Sequence, residues 1–321
     1  MSLFHTMNSI ELLDSPKVTG ESVKQALIDL GVDPSQITVK TVQGPKGFTD
    51  FVKVWFWGTE GKHNGGSAPT LGIVGRLGGI GARPERIGLV SDADGAVSAV
   101  AIAMKLTDMA KKGDRLKGDV FVSTHICPNA PTRPHDPVPF MGSPINMTIA
   151  NREEMTDELD AVLSIDTTRG NRIINSRGFA ISPTVKEGWI LRTSEDLLEL
   201  MSYVTGEAPK VFALTMTDIT PYGNGLYHLN SILQPCTATK APVVGVALTS
   251  GVMVPGCGTG SSQPADIESA VRFAIETAKA FGEGKCSFYS EEEYALAVER
   301  YGAMNNLQGM GNLPAADPQA L

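Results

Sequence analysis

Apolar positions recur along the chain at two different periods, and the switching between them predicts alternating helices and strands. In NSIELLDSPKVTGESVKQALIDLG, Ile10, Leu12 and Leu13, then Val23, Ala26, Leu27 and Leu30, fall at helical spacing, with Thr19-Gly20-Glu21 as a start signal between two helices. ITVKTVQG and FTDFVKVWFWG alternate apolar and polar positions as paired strands do, and His63-Asn64-Gly65-Gly66 marks a turn after them. APTLGIVGRLGG is a continuous apolar run, the pattern of a buried strand ending in glycines, and SDADGAVSAVAIAMKLTDMAKKG beyond it is a long helix of small residues. GDVFVSTHI and DAVLSIDTT are two more short β-rich runs, separated by the proline-rich loop CPNAPTRPHDPVPFMGSP and a short acidic helix. RGFAISPTVKEGWILR, KVFALTMTD and APVVGVALTSG predict further strands, with SEDLLELMSYVTG a helix between the first two. QPADIESAVRFAIETAKAFG, with Pro264 in its first turn, and EEEYALAVERYG are closing helices.

This succession predicts a three-layer α/β fold, a mostly parallel mixed central sheet flanked by helices. No linker or repeat interrupts it, so residues 1–304 are expected to form a single α/β domain without an inserted lid domain, followed by a loose tail over 305–321. Composition agrees with an ordinary globular protein: 42% hydrophobic and 19% charged residues. The formal charge of -8, with Lys and Arg scattered singly, lacks the basic stripe that neutralises phosphates, so no nucleic-acid partner is expected. Cys127, Cys236, Cys257 and Cys286 lie far apart with no CxxC pair, which fits a reducing cytoplasm and no disulfide framework. No apolar run approaches the roughly 20 residues that span a bilayer, so no membrane partner is expected. The opening MSLFHTMNSIE is neither basic nor apolar enough for a targeting segment, and Met1-Ser2-Leu3 is read as an expression scar.

In open α/β sheets ligands sit beyond the carboxyl ends of the strands, so the polar residues ending the predicted strands are the candidates for chemistry. They are Arg76 with Gly78 and Gly79, Asp92, His125, Asp166, Asp218 and the glycine-rich GCGTGSS. Asp92, His125 and Asp166 are of the ligand types that a divalent zinc or manganese ion takes. Each also has a bland reading: Asp92 and Asp94 as helix caps, His125 as a histidine bonded to a backbone carbonyl, and Asp166 as a turn former before Thr167. Gly258, Thr259, Ser261 and Ser262 precede a helix and offer an anion site for a substrate carboxylate, or simply a glycine-rich turn. Cys127, His135 and Asp136 sit on the stiff proline loop, and His228 follows the flexible turn in YGNGLYHLN.

The order of these segments resembles the co-catalytic zinc aminopeptidase and deacylase clan, in its glutamyl-aminopeptidase/cellulase-M-like branch. IELLDSPKVTGESVKQAL is similar to that family's first helix, APTLGIVGRLGG to its strand ending in His-x-Asp, and SDADGAVSAVAIAMKL to its Asp-x-x-Gly metal-bridging segment. VFVSTHICP is similar to its strand ending in Glu-Glu, AVLSIDTT to the strand ending in a metal-binding Asp, and GTGSSQPADIESAVRFA to the segment with its last His. The resemblance runs from about Ile10 to Gly282 and implies a zinc-peptidase-like (phosphorylase/hydrolase-like) fold. It implies Asp92 as bridging carboxylate, Asp166 as terminal ligand and His125 in or beside the Glu-Glu position, with one divalent metal. Arg76 stands where the first His would be, Ser261 or Ser262 where the last would be, and the general-base Glu has no counterpart. The chain also resembles an uncharacterised domain-of-unknown-function family related to this clan.

The expected activity is metal-assisted hydrolysis of a small peptide or acylated amino acid, with His125 and Arg76 as catalytic groups. Arg76 or the Gly258–Ser262 amides would take a substrate carboxylate. The alternative is a non-catalytic small-ligand-binding or structural descendant, and either is expected to be a homo-oligomer. CGTGSS is further similar to the second-cysteine motif of proline racemases and diaminopimelate epimerases, which implies a racemase or epimerase using Cys257.

Overall fold

In the computed structural model, which describes residues 1–83, 86, 88–136, 139–169, 172–254 and 257–309, the expected helices and nearly all the expected strands are present. The first two helices, α1 (Ser2–Leu13) and α2 (Gly20–Leu30), flank the Thr19 start signal. Thr19 caps α2 with a reciprocal pair of bonds to Ser22, and Gly31 ends it in a left-handed turn at φ 115°. Ser2 and Leu3 belong to α1, and the Ser2 hydroxyl donates to Glu268.

The strands β1 (Ile37–Gly44) and β2 (Gly47–Phe56) form an antiparallel hairpin. After β3 (Leu71–Gly75) comes α3 (Asp94–Lys111), then β4 (Val120–Ile126), a small ribbon of β5 (Thr132–Arg133) and β6 (Phe140–Met141), the short α4 (Met147–Glu154), and β7 (Ala161–Thr167). Next are β8 (Phe179–Ile181), β9 (Val185–Lys186) and β10 (Trp189–Ile190), then α5 (Glu195–Thr205), β11 (Val243–Leu248), α6 (Pro264–Gly282) and α7 (Glu291–Tyr301). The sheet runs β1-β2-β4-β3-β7-β11-β9-β10, with β8 also on β11. β4, β3, β7 and β11 are parallel to one another, and the strands at both edges are antiparallel, so the sheet is mixed with a parallel centre.

KVFALTMTD does not become a strand. Val211 makes a single bridge to Ile181, and the chain then turns into a 3-10 segment over Met216–Ile219. Asp218 diverts it: its carboxylate accepts from the Thr215 amide and hydroxyl at 2.8 Å each, offering the backbone a local turn in place of a ladder.

Alternate strand positions build two different cores. Toward one side, Ile73, Val122, Leu163, Ile165, Val244 and Val246 pack with apolar residues of α1, α2, α3, α5 and α6. Toward the other, Val74, Phe121, Val162, Val243 and Ala247 pack against the end of α4 and the irregular stretch from Phe212 to Ala241. No described helix is long and apolar enough to cross a membrane. Residues 310–321, most of the expected tail, lie outside the described residues.

Candidate functional site

Sheet register brings three of the singled-out residues into one row. Gly75 pairs with Thr124 of β4 on one side and Ile165 of β7 on the other, so the next row across the sheet is His125, Arg76 and Asp166. Equivalent positions on adjacent parallel strands project to the same side, and here that is the side covered by the irregular stretch. All three are buried. Leu77 follows in the left-handed region at φ 54°, a strained conformation for a residue with a branched side chain. The Gly78 amide beyond it donates to His125 Nε2 at 3.0 Å.

Two residues of α4, which the sequence reading did not single out, complete this row. Asn151 Oδ1 accepts from Arg76 Nη1 at 2.8 Å, and Glu154 bridges Arg76 Nη1 and His125 Nδ1, the latter at 3.0 Å. Burial alone would raise the Glu154 carboxyl, but the charge of Arg76 and the hydrogen bond with His125 outweigh it and hold the carboxyl below its ordinary value. The signal lay in the sequence as two polar residues three apart, on the same helical face as the buried Ala150.

Asp92 and Asp94 take separate roles. Asp92 ends up in a short 3-10 turn before α3, and neither that turn nor α3 has a side-chain cap, so Asp92 is not a helix cap. α3 can bring its first turn against the strand ends because residue 95 is glycine: a Cβ there would collide with the Arg76 and Ile165 carbonyls. Asp94, whose bland reading was also a helix cap, is completely buried in an ion pair with Arg169, with Ser262 Oγ donating to it. Burial raises its carboxyl, against the lowering charge of Arg169.

Among the described residues Asp92 has no such ion pair. Its carboxyl is pushed well above the ordinary range, first by burial and next by the charge of Asp166, with a hydrogen bond to Cys257 opposing. Asp166 is raised to about 7, first by burial, against the lowering effects of Arg76, the Thr167 amide and Ser231. The 3-10 turn that carries Asp92 packs against β7, which carries Asp166, so two buried carboxyls from different chain segments share a desolvated region. Such a pair holds a proton that a solvent-exposed pair would lose at neutral pH.

The expected metal set is only partly assembled. Asp92 and Asp166 are oxygen donors whose mutual repulsion a divalent cation would relieve, but His125 is not free to be the third ligand. Its Nδ1 faces Glu154 and its Nε2 lone pair is taken by the Gly78 amide. Among the described residues no three His, Cys, Asp or Glu side chains are grouped to hold a metal ion. The residues do not fit the three-ligand centre.

The segment Cys257–Ser262 docks on the Ser91–Asp94 turn rather than beside Arg76. Ser91 N donates to the Thr259 carbonyl at 2.7 Å and Asp92 N to the Cys257 carbonyl at 3.1 Å. The hydroxyls of Thr259 and Ser261 bond one another at 2.8 Å, and Gly258 packs near Met141. Burial and then the Asp92 charge push the Cys257 thiol up, away from the thiolate a racemase needs. Cys127 is buried among Ala82, Ala130 and Met141 and is pushed up to about 12 by burial.

The remaining candidates stand elsewhere. His228 is held within its own loop by Thr220 and the Leu226 carbonyl, and Asp218 is a buried acceptor for the Leu229 and Asn230 amides. His135 and Asp136 are exposed on the proline loop, with His135 tilted against Phe140.

No curated protein matches the chain. The model of a family described as "Protein of unknown function (DUF1177)" matches residues 40–311, a span that begins within β1 and contains every residue of the strand-end site. The chain belongs to this DUF1177 family of unknown function.

Proposed function

We propose that the chain hydrolyses an amide bond in a small peptide or acylated amino acid, on a zinc-peptidase-like fold whose metal set is incomplete. Asp92 and Asp166 are the reacting pair. The observation that carries this reading is the packing of the Asp92 turn against β7, which puts two buried carboxyls at the C-terminal end of a parallel sheet, neither of them in an ion pair among the described residues. Desolvated carboxyls with strongly raised pKa values are costly to fold and cluster at catalytic sites.

A pair sharing one proton can serve as base and acid together. The ionised carboxylate takes a proton from water as the water oxygen bonds to the amide carbon; the protonated carboxyl gives its proton to the departing nitrogen as the C–N bond breaks. His125, fixed by Glu154 and Gly78, positions the turn that follows Arg76 and touches no reacting atom.

The test is hydrolysis of a panel of N-acyl amino acids and dipeptides by the parent, Asp92→Asn and Asp166→Asn. Both variants should lose about 10²- to 10⁴-fold in rate while keeping a cooperative melt. Parent-like rates in either variant, or no turnover of any panel member by the parent, would overturn the proposal. Metal analysis accompanies it: one equivalent of metal that Asp92→Ala removes and His125→Ala retains would replace the shared proton by a cation between the same two carboxylates.

A further inference from the structure

Arg76 has a division of labour that the hydrolytic pair does not account for. Its side chain is fully buried, yet among the described residues only one of its three guanidinium nitrogens is engaged: Nη1 meets Asn151 and Glu154, while Nε and Nη2 have no hydrogen-bond partner there. Nε and Nη2 form one edge of the planar fork, with two N–H bonds directed alike. That edge matches the two oxygens of a carboxylate in bidentate pairing. Buried donors are nearly always satisfied, so an open edge of this kind marks a binding position.

We propose that the Nε/Nη2 edge of Arg76 is the seat of a ligand carboxylate, and that the substrate is an amide carrying a free carboxyl group; this rests on the hydrolytic reading for the amide and on Arg76 for the acid. Glu154 does not compete for the edge, because its oxygens are divided between Nη1 and His125 Nδ1. Arg76 and Asp166 stand in one row on adjacent parallel strands, so a carboxylate seated on this edge sits beside Asp166. The neighbouring Glu154 and Asp166 carboxyls favour a planar monoanion over a dianionic phosphate, whose second charge would meet them.

The other candidate for the substrate carboxylate, the Gly258–Ser262 segment, spends its Thr259, Ser261 and Ser262 hydroxyls on one another and on Asp94. Arg169 also has unpartnered N–H groups, but its guanidinium is set against Asp94, on the side of α3, and not against Asp166. Because Arg76 has no exposure, the covering stretch must part for a ligand to reach it, and association should be slow.

The probe pair is N-acetylglycine and its uncharged isostere N-acetylglycinamide, read by equilibrium dialysis and thermal melting of the full chain. N-acetylglycine should bind and raise the melting temperature of the parent, and the amide should do neither. Arg76→Lys should weaken binding at least tenfold, whereas Arg169→Lys should bind as the parent does. Should Arg76→Lys lack a cooperative melt, ¹⁵N-arginine-labelled parent replaces it: N-acetylglycine should shift one protected arginine Nε–H resonance. Equal effects of acid and amide, parent-like binding by Arg76→Lys, loss confined to Arg169→Lys, or an unmoved arginine spectrum would overturn the subsite. Acid-selective binding without cleavage of any N-acyl amino acid upholds the subsite and removes hydrolysis. Equal cleavage of carboxylate and carboxamide substrates does the reverse.

Discussion

The two sides of the sheet solve the same problem differently. On the side of α1, α2, α3, α5 and α6, the covering segments satisfy their own backbone groups, so the side chains facing the sheet can be almost wholly apolar. On the side of the Phe212–Ala241 stretch, much of the cover is irregular and its carbonyls and amides need side-chain partners. Ser164 Oγ donates to the Ile232 carbonyl at 2.5 Å, Gln234 Nε2 to the Thr220 carbonyl at 2.5 Å, and Asp218 accepts the Leu229 and Asn230 amides. Polar residues are thus part of the construction on this side, and the row His125, Arg76 and Asp166 with Glu154 extends that polarity to the strand ends. The difference teaches why chemistry collects there: a face already organised by buried polar groups holds further charged ones in place, whereas an apolar helical face would expel them.

The sharpest way to break this comparison is to remove one charge from the polar side. Glu154→Ala leaves Arg76 buried with Asn151 as its remaining partner and should cost about 3–5 kcal/mol in chemical denaturation. A loss under about 1 kcal/mol would mean that the row is not the organised network described. Next in size is the pH dependence. In the folded chain Asp166 titrates at about 7 against an ordinary 3.8, so folding favours its protonated form. Its stabilising contribution is complete below about pH 4 and is lost as pH rises through 7, a change of order a few kcal/mol. Asp166→Asn should flatten that part of the stability profile, and an unchanged slope between pH 4 and 7 would contradict the assignment. The smallest effect belongs to the helical side, where structure is locally determined: Thr19→Ala removes the α2 cap and should cost about 1 kcal/mol in thermal or chemical melts, leaving the Asp166 slope untouched.

Legibility followed the same division. Helices α2, α3, α5 and α6 and strands β3, β4, β7 and β11 were readable from their apolar pattern, helped by side-chain caps at α2 and α5 and by Pro264 at the start of α6. The one strand wrongly expected, KVFALTMTD, belongs to the irregular cover, where an Asp three residues after a Thr overrode an apolar run. Within the site, Arg76, His125 and Asp166 could be picked out as strand-end polar residues. Their alignment in a single row depends on a register that pairs residues more than forty positions apart. Glu154, Asn151 and Arg169 were overlooked because each occupies a segment that resembles an ordinary amphipathic helix or turn until its neighbours are known. Asp94 shows the same limit: its helix-start position was evident, its burial against Arg169 was not.

What the sequence by itself determined is the α/β alternation, the parallel centre of the sheet and the set of polar residues at the strand ends, since these rest on local period and capping. The tertiary structure alone decided that His125 is occupied by Glu154 and Gly78, that the Asp92 turn packs against β7 while Asp94 is paired with Arg169, and that one edge of Arg76 stays open. Those outcomes depend on charge, desolvation and direction between segments distant in the chain, and such quantities exist only once the segments are packed together.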